Sequence, residues 1–262
     1  MQKVATGDWL ATLESRNLLP EGTLAAYVVG STARGWDNAR SDFDIYVVLN
    51  ADELPNTPNS IPLPLDPPFI RSEVFFESGK RWEVTYWLDG QIDQILSKVS
   101  WEAYEAGTIA ENTLVKKEEQ SLARLVNCLP LRGEDWLEGA RKKLAATAFR
   151  SFTVVRSLVL ADDAVEDALG QMDEGDLYSA TMSARIAFGY SIDALLDGEG
   201  EYGSHQPKWR PNRFKAAAPS AISFEDYWKI ETMQEFDPAD PRPWITRVLT
   251  ICQDIAMRVE TS

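Results

Sequence analysis

The chain has 262 residues, of which 44% are hydrophobic, 10% aromatic and 26% charged, a composition typical of a folded globular protein. Its 41 acidic and 26 basic side chains leave a net charge of −15. Such a charge repels phosphate backbones and therefore disfavours broad electrostatic binding to nucleic acid or to an anionic membrane. The same field would attract a cationic small molecule.

Cysteine and histidine are too scarce for several kinds of site. Cys128 and Cys252 are the only cysteines and lie far apart in the sequence, which excludes a disulfide framework or a thiolate metal cluster. His205 is the single histidine, so a histidine-rich metal site is excluded as well. The sequence also shows no signal-peptide core and no stretch of ~20 apolar residues. We therefore expect a cytoplasmic protein.

The first half of the chain predicts a sheet. A short helix ending before Pro20 precedes it, and four segments have the length and composition of strands: residues 25–29, 43–49, 70–77 and 81–88. Residues 50–68 contain six prolines and predict a long surface loop. Ser78-Gly79-Lys80 is typical of a hairpin turn between the last two strands.

After Gly90 the spacing of apolar residues becomes helical. Helices are predicted around 118–127, over 138–170, over 176–197 and over about 244–259. Gly175 and the helix-capping Asp176 separate the two long ones as a helix pair. We predict an α+β protein, with a mixed sheet and flanking helices in residues 1–132 and an all-helical domain in residues 133–262.

Two carboxylates mark the start of the second predicted strand. Because side chains alternate along a strand, Asp42 and Asp44 point to the same face. Two unit charges ~4 Å apart repel by roughly 4 kcal/mol at an effective dielectric constant near 20, a large part of a domain's net stability. A divalent cation reverses the sign of this interaction, and Mg²⁺ favours one or two carboxylates plus substrate phosphates. The pair therefore predicts a magnesium site.

A turn that can bind phosphate precedes these carboxylates. Gly30 allows close approach of the backbone, while the hydroxyl of Ser31 and successive N–H groups can donate hydrogen bonds. Arg34 adds a positive charge. Ten residues separate Ser31 from Asp42, and the two features together predict a site for a metal–nucleotide complex.

The stretch GSTARGWDNARSDFDIYVVL resembles the signature of the DNA polymerase β-type nucleotidyltransferases, in which Gly-Ser, a spacer and Asp-x-Asp at a strand start recur. The resemblance covers roughly residues 20–100. It implies a nucleotidyltransferase mixed sheet and Mg²⁺-dependent transfer of a nucleoside monophosphate from a triphosphate such as ATP. In character the sequence is most similar to the aminoglycoside (3″) adenylyltransferases, which implies a small cationic acceptor bearing a hydroxyl and a role in antibiotic resistance.

The resemblance also implies a third carboxylate on a later strand. Glu83, between the apolar Trp82 and Val84, fits this setting, and it would bind metal and act as the general base. Glu73 is the alternative, and we favour Glu83 because both of its neighbours are large and apolar.

In the aminoglycoside and lincosamide nucleotidyltransferases a helical domain of this size closes over the active site. Lys208, Trp209 and Arg210 concentrate cations and an aromatic ring in an acidic chain, and from the second domain they could bind the triphosphate or stack on the base. A basic surface loop that neutralises nearby carboxylates is the favoured alternative for such a cluster. Two other functions stay open. One is a toxin–antitoxin type of enzyme that modifies a protein or, against the net charge, a tRNA; the other is a nucleotide sensor without turnover, against which the three carboxylates argue. A monomer and a dimer are both compatible with the sequence.

Overall fold

The computed structural model describes residues 6–107 and 113–259, with side chains from Trp9 onwards. The described residues form two compact units, the first ending at Thr147 and the second beginning at Ala148. The sequence places the boundary near residue 132. In the structure the boundary between the units lies later, because the helix Glu134–Ala145 is bonded to the first unit. Its Trp136 Nε1 donates to Asp89 Oδ1 over 2.8 Å.

The described part of the first unit forms a six-stranded sheet. Its strands are β1 (Thr23–Val29), β2 (Phe43–Leu49), β3 (Asn59–Pro62), β4 (Phe69–Glu77), β5 (Lys80–Leu88) and β6 (Leu129–Arg132), in the order β3-β4-β5-β2-β1-β6. Strands β2 and β5 are parallel, and the other neighbouring pairs are antiparallel. The predicted mixed sheet is therefore confirmed.

The two edge strands differ from the sequence prediction. Strand β3 lies inside the segment predicted to be a loop, and the sequence pattern gives no sign of β6. Pro62 lies in β3 and Pro130 in β6. Proline cannot donate a backbone hydrogen bond, and an edge strand leaves one side of its backbone unpaired, so both prolines are tolerated there.

The predicted hairpin between β4 and β5 is confirmed. Glu77 pairs with Lys80, and the two residues between them, Ser78 and Gly79, both have positive φ, 52° and 75°. This is the conformation that matches the twist of a two-residue hairpin. The turn thereby fixes which residues of β4 lie opposite those of β5.

Alternation along the strands gives the sheet two different faces. One face contributes Phe43, Ile45, Val47, Trp82 and Val84 to an apolar core that also contains Trp9 and Leu13 of the N-terminal helix. The opposite face carries Asp44 and Glu83 near the starts of β2 and β5, followed by the fully buried Tyr46 and Trp87. Helices of this unit include α1 (Thr6–Ser15), α2 (Gly30–Ala33), α3 (Asp89–Lys98), α4 (Trp101–Glu105), α5 (Lys116–Val126) and α6 (Glu134–Ala145).

The second unit is helical, as predicted. Its elements include α7 (Phe149–Asp173), α8 (Leu177–Gly198), a 3-10 turn (Pro207–Trp209), α9 (Arg210–Ala217), α10 (Phe224–Glu231) and α11 (Arg242–Ala256). Asp176 Oδ1 accepts from the Ser179 N–H over 3.1 Å, which confirms the predicted cap of α8. The single helix predicted over 138–170 is wrong, because the chain leaves helical geometry between α6 and α7. There the Thr147 hydroxyl donates to the Leu144 carbonyl over 2.7 Å, a side-chain bond that competes with helix continuation.

A buried ionic network lies inside the second unit. Arg213, with no exposed surface, donates to Asp193 Oδ1 over 2.7 Å and to Asp197 Oδ1 over 2.8 Å. Arg210 donates to Asp193 Oδ2 over 2.8 Å. Each buried charge is thus paired, which satisfies the requirement for burying ions in a helical core.

No single helix among residues 6–107 and 113–259 has the length and apolar composition needed to span a membrane.

Candidate active site

Three carboxylates meet at one end of the central parallel strands. Asp44 of β2 and Glu83 of β5 are directly paired, so their side chains leave the same face of the sheet. Asp42 precedes β2, two residues before Asp44. The side chains of Asp42, Asp44 and Glu83 are 45%, 34% and 25% exposed, so all three are accessible to solvent or ligand.

The alternative third carboxylate lies elsewhere. Glu73 is paired with Val84 across β4 and β5, and directly opposed residues of an antiparallel pair share a face. Val84 belongs to the apolar core on the other side of the sheet. Of the two candidates, Glu83 is therefore the one that lies on the face of Asp44.

Two arginines that the sequence analysis does not single out contact these carboxylates. Arg81 donates from Nη1 to Asp42 Oδ2 over 3.0 Å and from Nη2 to Glu83 Oε2 over 2.9 Å. Arg124 of α5 donates to the Tyr46 hydroxyl over 2.6 Å, and its Nη2 lies 3.7 Å from Asp44 Oδ2. Strand alternation could have indicated Arg81, two residues before Glu83. Arg124 comes from a distant helix and left no local signal.

The electrostatic setting of Asp44 favours a cation. Burial raises the pKa of the Asp44 carboxyl; the positive charge of Arg124 opposes this rise, whereas the charge of Glu83 adds to it. A further positive charge at the site would favour the ionised form of Asp44. The cluster is thus able to gain from binding a metal ion.

The Gly30 turn lies against the Asp44 carboxylate. Gly30 has φ +73°, and a Cβ atom at this position would lie 3.0 Å from Asp44 Oδ2, so the backbone conformation and the close approach both favour glycine. The Ser31 carbonyl accepts from the Trp36 N–H over 2.9 Å, which closes the turn. The Arg34 guanidinium lies 3.8 Å from the centre of a Trp36 ring. The predicted phosphate-binding turn and the carboxylates are therefore neighbours.

The loop between this turn and Asp42 is held by a lysine. Lys80 Nζ donates to the carbonyls of Asn38, Ala39 and Ser41 over 3.2, 2.8 and 3.2 Å. Lys80 begins β5, the strand that carries Glu83. It thus ties the loop that leads into Asp42 to the strand of the third carboxylate, a role the sequence pattern does not indicate.

Two apolar side chains are exposed beside the carboxylates. Val74 is directly opposite Glu83, and Phe76 is opposite Arg81, so both lie on the face of Glu83. Phe76 is 71% exposed. These side chains offer an apolar surface next to the charged groups.

The remaining predicted residue, Lys208, belongs to the second unit. It lies in the 3-10 turn, is exposed, and its Nζ is 5.2 Å from the centre of a Trp209 ring. The neighbouring Arg210 is not part of a solvated cluster, because its side chain is buried against Asp193. The other six predicted residues, Gly30, Ser31, Arg34, Asp42, Asp44 and Glu83, all lie in the first unit.

The carboxylates fit Mg²⁺ only in company with a phosphate ligand. Within the described residues no group of three or more His, Cys, Asp or Glu is arranged to hold a metal ion alone. Mg²⁺ needs fewer protein ligands than that, since it keeps waters and binds through one or two carboxylates plus substrate phosphates. Arg81, a cation bonded to Asp42 and Glu83, shows that these oxygens already accept positive charge. The donor set therefore fits a metal–triphosphate complex.

Comparisons with known proteins bear on the fold. No protein-family model matches the chain, and no curated protein matches it. Among solved structures, the chain is similar to a nucleotidyltransferase-like protein from Exiguobacterium sibiricum 255-15, with a TM-score of 0.50, 10% identity, and coverage of 97% of this chain and 75% of the other. At this identity the likeness shows the fold. The chain therefore shares the fold of that structure, and here this fold is a mixed sheet followed by a helical region.

Proposed function

We propose that this protein is an enzyme that transfers a nucleoside monophosphate, with ATP as the expected donor, to a hydroxyl group of a small acceptor. The observation that carries the proposal is the direct pairing of Asp44 with Glu83 on parallel strands. Beside them lies the Gly30 turn, whose backbone approaches the Asp44 carboxylate. Carboxylates and a phosphate-binding turn on a nucleotidyltransferase-like fold are the parts that nucleotidyl transfer requires.

The binding roles follow from the chemistry of each group. Asp42 and Asp44 would hold Mg²⁺, with Glu83 as a further carboxylate; when bound, this ion neutralises triphosphate charge and polarises the reacting phosphoryl group. Gly30 and Ser31 would donate backbone and hydroxyl hydrogen bonds to the phosphates. Arg34 would add a positive charge at the same turn.

Glu83 would act as the general base. Its carboxylate accepts the proton of the acceptor hydroxyl as the hydroxyl oxygen forms a bond to the α-phosphorus. The bond between the α-phosphorus and the bridging oxygen breaks, and pyrophosphate leaves with the electron pair. Because the protein forms no covalent bond in this scheme, catalysis consists of alignment and charge neutralisation.

The acceptor we propose is a small cation such as an aminoglycoside. The net charge of −15 would attract it. The exposed ring of Phe76, on the same face as Glu83, is a surface on which an ammonium-bearing ring could pack through a cation–π interaction. The acceptor hydroxyl would then lie toward Glu83.

The test is mass spectrometry of acceptor mixtures, aminoglycosides first and then cell extract, incubated with Mg²⁺ and each of the four nucleoside triphosphates. Wild type is compared with Asp42→Ala and with Glu73→Gln, a carboxylate variant on the other face of the sheet. An acceptor heavier by one nucleoside monophosphate, formed by wild type and Glu73→Gln but not by Asp42→Ala, would support the proposal and name base and acceptor.

Two results would contradict it. Mg²⁺-dependent triphosphate binding without any small-molecule adduct would favour a sensor or a macromolecular acceptor. Absence of both binding and adduct would exclude nucleotidyl transfer by this site.

A further inference from the structure

Arg81 occupies the oxygens on which the proposed chemistry depends. One guanidinium nitrogen bonds Asp42 Oδ2 and the other bonds Glu83 Oε2, over 3.0 and 2.9 Å. The first carboxylate is a proposed metal ligand and the second is the proposed base. A carboxylate oxygen that accepts an arginine N–H has less capacity to bind a metal ion or to take a proton.

The same contact also compensates negative charge within the carboxylate cluster. Asp42, Asp44 and Glu83 place up to three negative charges at one site, and like charges at close range repel strongly. Arg81 compensates two of them with one side chain. The planar guanidinium group of arginine has several N–H donors in fixed positions and can therefore bridge two carboxylates. The compact ammonium group of a lysine bridges them less well.

The surroundings of Arg81 leave it able to move, in contrast to Arg124. The Arg81 side chain is 34% exposed, and within residues 6–107 and 113–259 its hydrogen bonds to side chains are those to Asp42 and Glu83. Arg124 is held in addition by its 2.6 Å bond to the hydroxyl of the fully buried Tyr46. A guanidinium group that leaves a carboxylate can bind a phosphate instead, because both anions accept strong hydrogen bonds from arginine N–H groups.

We propose that Arg81 is an exchangeable counter-ion, which binds either the carboxylates of the site or the phosphates of the substrate. In the absence of nucleotide it holds Asp42 and Glu83. When a metal–triphosphate complex binds, the Arg81 guanidinium would release both carboxylates, which would then be free to hold the metal ion, and would turn to the phosphates that leave as pyrophosphate. This inference rests on the proposed function and deepens it. A metal ion that binds alone must displace Arg81 from the carboxylates, and the guanidinium then has no new anionic partner. A metal ion that binds with a triphosphate brings phosphates to which the guanidinium can bind. The site would therefore bind metal poorly until nucleotide is present.

The experiment compares wild type, Arg81→Gln, Arg81→Lys and Arg16→Gln. Arg16 is the matched control, since it is an arginine of similar exposure, 39%, that pairs with Glu77 rather than with the site. Mn²⁺ alone, a spectroscopic substitute for Mg²⁺, is titrated by calorimetry and electron paramagnetic resonance. Pyrophosphate is then titrated at saturating Mn²⁺.

The two affinities should move in opposite directions in Arg81→Gln. Mn²⁺ alone should bind about tenfold more tightly, because a competing positive charge is gone. Pyrophosphate in the presence of Mn²⁺ should bind about tenfold more weakly, because a guanidinium–phosphate contact is lost. Arg81→Lys should restore part of the pyrophosphate affinity, and Arg16→Gln should resemble wild type in both titrations. If Arg81→Gln does not fold, Arg81→Lys carries the test, since it keeps the charge but loses the fork that bridges the two carboxylates.

Unchanged or weaker Mn²⁺ binding in Arg81→Gln would overturn the exchange and leave Arg81 as a structural bridge. Unchanged pyrophosphate binding would overturn the second half of the proposal. Failure of the proposed function gives a different pattern: Asp44→Asn would then bind Mn²⁺ as wild type does, and wild type would transfer no nucleotide.

Discussion

Asp44 and Glu83 are directly paired across two parallel strands, although 38 residues separate them in the sequence. Strand order produces this relationship: the chain passes through β3 and β4 before β5 returns to lie beside β2. Both carboxylates then leave the same face of the sheet, next to the Gly30 turn. The proposed function follows from this juxtaposition more than from any one residue.

Asp44→Asn removes one charge and keeps the size of the side chain. We expect Mg²⁺-dependent triphosphate binding to be lost and transfer to fall by about 10²-fold or more. The fold should survive, because burial already raises the pKa of this carboxyl, which means that the native state does not favour its charged form. Calorimetry with triphosphate and urea unfolding check both statements. A folded variant that still binds the triphosphate in a Mg²⁺-dependent manner would remove Asp44 from the site.

Glu83→Gln separates binding from turnover. The amide cannot accept the hydroxyl proton, so kcat should fall by about 10²- to 10⁴-fold while triphosphate still binds. Glu73→Gln is the matched control, since Glu73 lies opposite Val84 on the other face of the sheet. Steady-state kinetics and binding titrations distinguish the two. Loss of turnover in Glu73→Gln with normal turnover in Glu83→Gln would reverse the assignment.

Lys80→Met tests whether the loop before Asp42 needs its anchor. The change keeps the apolar stem and removes the three hydrogen bonds to Asn38, Ala39 and Ser41. We expect the free energy of unfolding to fall by about 1–2 kcal/mol and the KM for triphosphate to rise. Lys142→Met is the control, since Lys142 forms an exposed pair with Glu138, and it should leave the free energy of unfolding essentially unchanged. Equal stability and KM in the two variants would argue against an anchoring role.

Arg213→Met breaks the buried network of the second unit. The variant leaves Asp193 and Asp197 without their shared cation, and a buried ion that loses its partner costs about 3–5 kcal/mol. Denaturant unfolding monitored by circular dichroism measures the loss. Lys229→Met, which removes an exposed pair with Glu225, serves as comparison. A loss below about 1 kcal/mol in Arg213→Met would show that the network does not stabilise this unit.

The stability of the second unit should depend on pH through His205. Its Nε2 lies 3.2 Å from Asp197 Oδ2. Burial disfavours the imidazolium, but the charge of Asp197 and the hydrogen bond to it outweigh burial, so the pKa of His205 is raised. The native state therefore holds the proton more tightly than the unfolded chain does. The resulting stabilisation is complete below the ordinary histidine pKa of about 6.5 and is lost as pH rises through the raised value.

Urea unfolding at a series of pH values between about 6 and 9 checks this dependence. Wild type should lose stability across the range, whereas His205→Gln should lose less. Parallel pH profiles for the two proteins would show that the contact with Asp197 does not hold a proton.

Local sequence determined the parts of the site that lie within a few residues of one another. The period-two alternation around β2 placed Asp42 and Asp44 on one face, and the Gly30-Ser31 turn followed from the apolar strand that ends before it. The β4–β5 hairpin was also predictable, because two-residue turns demand residues that tolerate positive φ, as Ser78 and Gly79 do here.

Tertiary structure decided everything that depends on register between distant segments. The sequence allowed Glu73 or Glu83 as the third carboxylate, and only the pairing of β5 with both β2 and β4 assigns them to opposite faces. Arg124 reaches Asp44 from a helix about 80 residues later, at a distance that no periodicity encodes. In the same way, no local pattern links Asp193 with Arg213, which lies 20 positions later in the sequence. Both side chains can be buried in the folded protein because they form an ion pair with each other.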